Sequence, residues 1–269
     1  MLTVYCTTTK YFNVLDKLPS YIKVIGLGDG VFPKHWLSES DGQNIKHLNK
    51  YYGELTAFYW VWKNKLNEFT NKDLVGFCHY RKLWLNDLSK QKNKLSFKSL
   101  NSKLLDSQNV FLNQKDVFQV QPIIFKNRNL IEDFSLIHNT NIIYKCLDFL
   151  PVKIRSNFLD HLQSNILYPL NMFIVKKNLF NEYCEILFPW VDKCMELFLK
   201  ENILTSYNVR LPAFLTERFT SFWFSQNINK LNFSYARLGK FFLSNKINSF
   251  INPIKLPFTS RMYPTLHKY

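Results

Sequence analysis

Asp73-Leu74-Val75-Gly76-Phe77-Cys78-His79-Tyr80-Arg81 is the stretch on which the fold turns. Its first six residues form a short, nearly continuous apolar run, the pattern of a strand covered on both faces. The run ends on three polar residues. Open α/β sheets bind ligands at the carboxyl ends of their strands, so His79, Tyr80 and Arg81 are candidate site residues by position alone. A lone histidine there would more often be a core residue with local partners; the tyrosine and arginine beside it favour the functional reading.

Outward from this strand the chain alternates strand and helix patterns, which places it in the α/β class. Residues 3–6 read as a first strand, followed by the polar loop Thr7-Thr8-Thr9-Lys10, where backbone amides and the Lys10 ammonium are suited to phosphate. Residues 22–25 read as a second strand. The Gly26-Leu27-Gly28-Asp29-Gly30 segment after it lacks the glycine spacing of a dinucleotide fingerprint or P-loop and reads as a turn. Across residues 45–66, Leu48, Tyr52, Leu55, Tyr59, Trp62 and Leu66 recur at the spacing of one amphipathic helix. Asp41 and Asn44, just before it, are candidates for a helix cap or for an anion held at the helix start.

Residues 86–108 carry scattered lysines and read as a long excursion, either a lid or a solvated loop. Residues 117–125 suggest another strand. Residues 130–150 have helical spacing and carry Glu132, Asp133 and His138, which form no metal-ligand pattern. Residues 171–175 predict a strand beginning on Asn171. The helix after it contains Pro189, expected to kink it. Pro212 suits the first turn of a further helix, with Leu215, Phe219 and Phe222 on one apolar face and Glu217 and Arg218 off it.

Composition narrows the function. The 269 residues suffice for a full core, and 46% hydrophobic with 17% aromatic residues exclude a disordered chain. No apolar run is long enough to span a bilayer, and no secretory leader is expected from the first residues. Cys6, Cys78, Cys146, Cys184 and Cys194 are odd in number and form no Cys-x-x-Cys pair, which argues against a zinc site or disulfide framework and fits a reducing cytoplasm. The net charge of +15 is compatible with an anionic partner, although AT-rich codon usage offers a second account of the lysines. After Arg218 there is no acidic residue, and basic and aromatic residues alternate to the end of the sequence, as on a surface that rests on anionic lipid or receives an anionic acceptor.

Taken in order, Asp41-Gly42-Gln43-Asn44-Ile45, the segment from Tyr52 to Asn64 (YGELTAFYWVWKN), Gly76-Phe77-Cys78-His79-Tyr80-Arg81-Lys82, Asn171-Met172-Phe173-Ile174, Glu182-Tyr183-Cys184 and Thr216-Glu217-Arg218-Phe219 resemble a family of bacterial capsule, exopolysaccharide and O-antigen glycosyltransferases formerly catalogued as a domain of unknown function. The resemblance covers roughly residues 1–225. In that family the early loop usually has a histidine where Thr9 stands, and the approach to the first helix is usually more acidic than Gln43 and Lys46.

The resemblance implies a GT-A-like fold: a Rossmann-type mixed sheet flanked by helices over residues 1–225, with residues 226–269 as a basic aromatic extension packed on it or on the membrane surface. It implies transfer of a hexose, such as galactose or galactofuranose, from a UDP-sugar to a glycan or lipid-linked glycan, in the cytoplasm or at the inner-membrane surface. No nucleic-acid partner is expected. Many GT-A enzymes hold Mn²⁺ or Mg²⁺ with an Asp-x-Asp motif, which this sequence lacks; His79-Tyr80-Arg81 stands in its expected place. Cations can stabilise a leaving diphosphate as a metal does. The expectation is therefore metal-independent transfer, with Thr9, Lys10, Asp41, Asn44, Arg81 and Arg218 binding the donor and Tyr80 and Asn171 the acceptor. Glu217 is the expected catalytic base, with His79 as an orienting group or alternative base. The rival is a nonenzymatic basic module for lipid or nucleic acid. An enzyme would gather these residues about one cleft, and a binding module would scatter them.

Overall fold

The computed structural model describes residues 1–86, 104–105, 115–226, 231–241 and 251–253. Most of the lysine-spotted excursion and most of the basic C-terminal stretch lie outside these residues.

The two periods of the sequence resolve into strands and helices. Strands β1 (Leu2–Thr8), β2 (Ile22–Gly26), β3 (Leu37–Ser38), β4 (Leu74–His79), β5 (Lys82–Leu85), β6 (Val117–Val120), β9 (Phe173–Lys176), β10 (Phe233–Phe241) and β11 (Ile251–Pro253) form one mixed sheet. Its order is β11-β10-β6-β9-β4-β1-β2-β3, with β5 pairing β4 and β10. β1 runs parallel to β2 and β4, while β9 lies antiparallel between β4 and β6. The carboxyl ends of β1, β2 and β4 thus share an edge with the start of β9. A separate pair, β7 (Ile123–Ile124) and β8 (Ile166–Leu167), stands beside the sheet.

Both faces of the sheet are covered, so β1 and β6 are buried at every position and β4 at all but His79. Tyr5, Val75, Phe77, Phe173 and Val175 point into one core, against helices Leu55–Asn64, Lys177–Lys200 and Leu211–Ser225. Leu2, Val4, Cys6, Leu74, Cys78 and Ile174 point into the other, with Leu15, Trp36, Leu83 and Trp84. Gly76 sits at a close approach between strands: a Cβ there would lie 2.7 Å from Ile174 Cγ1 and 3.2 Å from Val4 Cγ2. All five cysteines are buried and free.

Several expectations change. The helix expected over residues 45–66 is broken at Gly53, whose φ of 56° and ψ of −126° suit glycine and end the short helix Asn49–Tyr52 before Leu55–Asn64 begins. The expected apolar stripe still packs on the core across the break, with Tyr52 and Leu55 buried and Leu48, Tyr59 and Trp62 half-buried. Residues 117–125 split between β6 and β7, and residues 130–150 make two helices, Leu130–His138 and Ile143–Leu147. Pro189 lies on the exposed side of an unbroken helix, Lys177–Lys200. Helix Leu211–Ser225 is buried nearly all round, so Glu217 and Arg218 are in the interior and not on a free face.

Candidate active site

At the carboxyl ends of β1 and β2 lies a cleft of about 640 Å³ lined by Thr9, Leu27, Gly28, Asp29, Asn44, Lys46, His47, Asn49 and Lys50. Each wall has a local cause. Thr8 closes the turn after β1: its hydroxyl donates to Lys10 O at 2.6 Å and accepts from Lys10 N at 3.2 Å, leaving Thr9 and Lys10 exposed. Gly28, at φ 70°, brings its N–H to within 2.5 Å of Glu39 Oε1 beneath the floor. Burial pushes the Glu39 carboxyl above its ordinary range, and the Gly28 N–H and Thr56 hydroxyl draw it part of the way back. The Asn44 side chain bonds to Ser40 O and Gly42 O and accepts from Lys46 N, which fixes the loop leading to the helix. Asp29 pairs with Lys46 at 3.3 Å, and Lys50 on the lining together with exposed Lys10 next to Thr9 leaves the rim positively charged on balance.

His79, Tyr80 and Arg81 lie at the carboxyl end of β4, the strand beside β1, at the turn into β5, with His79 paired to Thr7. Tyr80 stacks on Phe12 at 5.2 Å, and the Arg81 guanidinium lies over the Tyr80 ring at 4.9 Å with its end exposed. His79 is half-buried and donates from Nε2 to Leu170 O at 3.2 Å. Burial lowers its pKa; the Glu54 carboxylate opposes this, and Lys82 and Arg81 reinforce it. A neutral imidazole at neutral pH follows.

The peptide that His79 grips is strained. Leu170 has φ 84° and Asn171 φ 48°, and both residues are buried. A branched side chain at positive φ costs of order 1 kcal/mol or more and persists only where its surroundings impose it. Here they do. Leu170 N donates to Glu217 Oε1 at 2.5 Å, and the Asn171 amide donates to Glu54 Oε1 at 3.1 Å and to Ala213 O at 3.3 Å. Thr220 Oγ1 lies 2.9 Å from Asn171 Oδ1, 2.8 Å from Thr216 O and 2.7 Å from the Tyr183 hydroxyl. His79, Asn171, Glu217 and Glu54 are thus gathered about one backbone turn at the start of β9.

Arg218 is a correction. Its side chain is fully buried, with Nη2 at 2.8 Å from Asp133 Oδ2, Nη1 donating to Phe214 O and the guanidinium over the Phe134 ring. Asp133 also meets Arg128 Nε at 3.0 Å. A guanidinium so enclosed does not reach a donor, and it leaves the donor-binding set. Asp41 is exposed, and its loop is anchored by the Trp60 indole donating to Asp41 O. The structure therefore joins Thr9 and Asn44 in the cleft, sets Lys10 beside it and Tyr80 and Arg81 at the carboxyl end of β4, and groups His79, Asn171 and Glu217 around Leu170.

Glu54 and Arg210 were missed as site residues. Arg210, exposed at the start of the last long helix, lies against Gly53: a Cβ on that glycine would be 3.7 Å from its Nη1. The sequence signal was the Gly-Glu pair interrupting an otherwise regular apolar stripe. A wider groove of about 990 Å³, lined by residues that include Lys126, Asn127, Arg128, Leu136 and Asn141, holds none of the expected residues. Among the described residues no three His, Cys, Asp or Glu side chains converge to hold a metal ion. Among the same residues no helix is long and apolar enough to cross a membrane.

Residues 3–229 match the family model described as "Domain of unknown function (DUF4422)". No curated protein matches the sequence. Among solved structures, the apo structure of the bifunctional glycosyltransferase WbbM is similar, with a TM-score of 0.67 and 19% identity over 88% of this chain and 45% of that one. The chain therefore corresponds to less than half of that structure, and the likeness is one of fold.

Proposed function

The chain belongs to the DUF4422 family, and on that premise we propose that it is a glycosyltransferase moving a hexose, galactose or galactofuranose, from a UDP-sugar to a growing capsule or lipopolysaccharide glycan. The observation that carries the reading is the cleft at the carboxyl ends of β1 and β2, rimmed by cations and adjoining the gathered polar groups of His79, Glu54 and Asn171. This is where an open α/β sheet receives a nucleotide, and the fold shared with a bifunctional glycosyltransferase supports the same reading.

In this proposal Thr9, Asn44 and the amides after β1 receive the nucleotide. Lys10 and Arg81 face the diphosphate, where ammonium and guanidinium groups offset the charge that grows on the leaving group. Tyr80, His79 and Asn171 line the acceptor side. Transfer proceeds without a divalent metal. Residues 1–225 act as the transferase domain in the cytoplasm, and β10 and β11, from the basic aromatic stretch that follows, pack on it as strands of its sheet.

The test is incubation of the purified chain with a panel of UDP-sugars and glycoside acceptors, following UDP release with and without chelator. Turnover on UDP-galactose or UDP-galactofuranose is expected, unchanged by chelator. Turnover on no donor, together with no thermal stabilisation by UDP, would refute glycosyl transfer. Activity lost in chelator and regained with Mn²⁺ would refute metal independence alone.

A further inference from the structure

An inverting transfer needs a carboxylate or imidazole within hydrogen-bond reach of the acceptor hydroxyl. Glu217 is poorly placed to serve. It is 5% exposed, Oε1 is taken by the Leu170 N–H, and Oε2 faces Arg218 at 4.0 Å. Glu54 has the opposite character. It is half-buried and follows the glycine that breaks the helix, between the nucleotide cleft and the histidine. On the cleft side, Asn49 lines the cavity and donates to Gly53 O at 3.0 Å and to Thr56 Oγ1 at 2.9 Å. On the other side, the Glu54 charge acts on His79, and Oε1 accepts the Asn171 amide.

The Asn171 amide has its orientation fixed. Its nitrogen faces two groups that only accept, the Glu54 carboxylate and Ala213 O, which leaves its oxygen toward Thr220. Glu217 and His79 hold the preceding Leu170 peptide from its two ends. A carboxylate clamped at one oxygen by a fixed amide is pre-oriented at the other, the arrangement a base requires.

We propose that Glu54 is the catalytic base, and that Glu217 is a positioning residue acting on it through the strained Leu170-Asn171 turn. This rests on the glycosyltransferase reading above. Glu54 takes the proton of the acceptor hydroxyl as the acceptor oxygen bonds to the anomeric carbon. The bond from that carbon to the β-phosphate oxygen breaks, its electron pair leaves on UDP, and the anomeric centre inverts.

The experiment compares wild type, Glu54→Gln, Glu54→Asp and Glu217→Gln for UDP release from UDP-galactose, UDP-galactofuranose and UDP-glucose, with octyl galactoside as acceptor. UDP affinity and melting temperature are measured on the same samples. Glu54→Gln is expected to lower kcat by about 100-fold or more, the span of general-base catalysis, with UDP affinity within twofold of wild type. Glu54→Asp recovers part of the rate because a carboxylate is restored. Glu217→Gln is expected to lower kcat by about tenfold with donor KM unchanged, and to lower the melting temperature. Near-wild-type turnover in Glu54→Gln, with a 100-fold loss in Glu217→Gln at unchanged melting temperature, overturns the inference and returns the base to Glu217. Absence of turnover in wild type on all three donors instead sinks the transferase reading on which it rests.

Discussion

Replacing Arg218 with Met tests the reassignment of this residue from donor binding to the interior. The side chain has no exposed surface and is held by Asp133 at 2.8 Å, the Phe214 carbonyl and the Phe134 ring. Removing one member of a buried ion pair leaves the other charge desolvated and typically costs 3–5 kcal/mol. Arg128 Nε remains 3.0 Å from Asp133, which places the expected cost near the lower end, about 3 kcal/mol. At a urea slope of about 3 kcal/mol/M, a generous value for a chain this long, the unfolding midpoint falls by about 1 M. Burial already holds the Asp133 carboxyl above its ordinary range against the pull of Arg218 and Arg128, so protonation absorbs part of the penalty at acid pH. The double variant Arg218→Met with Asp133→Leu should recover at least half of the loss. It removes the Asp133 carboxylate together with its partner, and Arg128, 16% exposed, still reaches water. Urea melts of the four proteins of this double-mutant cycle measure the coupling directly, and UDP binding to each reports on the donor site. A midpoint unchanged in Arg218→Met, accompanied by lost UDP binding, would refute the structural assignment and restore the arginine to the donor.

Three further outcomes follow from the same geometry. Gly76→Ala is expected to destabilise by about 1–3 kcal/mol, because its Cβ would meet Ile174 at 2.7 Å and Val4 at 3.2 Å inside the sheet; a melting temperature unchanged by Gly76→Ala contradicts the packing argument. His138 and His161 have pKa values lowered from 6.5 to about 4, by burial in both cases and by Arg218 as well for His138. The unfolded imidazoles take up protons first on acidification, so this stability is full above about pH 6.5 and lost as pH falls toward 4, at most about 3 kcal/mol for each histidine. Urea melts at pH 7.5 and 4.5 check this, and His161→Gln should reduce the dependence. Arg81→Ala should weaken UDP binding by about tenfold, the worth of one charge-assisted bond; because Arg81 is exposed at a hairpin turn, the melting temperature without UDP should not move.

The sequence by itself determined the elements whose pattern is set by local chemistry. The apolar run at 74–78 reads as a strand covered on both faces, and its polar end places His79, Tyr80 and Arg81 at the carboxyl end of the sheet. Thr9 and Asn44 were legible for a similar reason, since both occupy short polar loops next to recognisable strands or helices. What the sequence could not determine were contacts that depend on which distant elements pack together. Asp133 lies 85 residues from Arg218, and nothing near Arg218 signals that a carboxylate from another helix will enclose it. The helix carrying Glu217 has an apolar face in sequence, but tertiary packing buries its polar side too. Leu170 is the sharpest case: no residue type predicts positive φ there, and the conformation exists only because His79, Glu217 and the Asn171 clamp act together across the fold. Local propensity fixed the strand that delivers the histidine. Only long-range packing decides that Glu217 meets the Leu170 N–H while Glu54 meets the Asn171 amide.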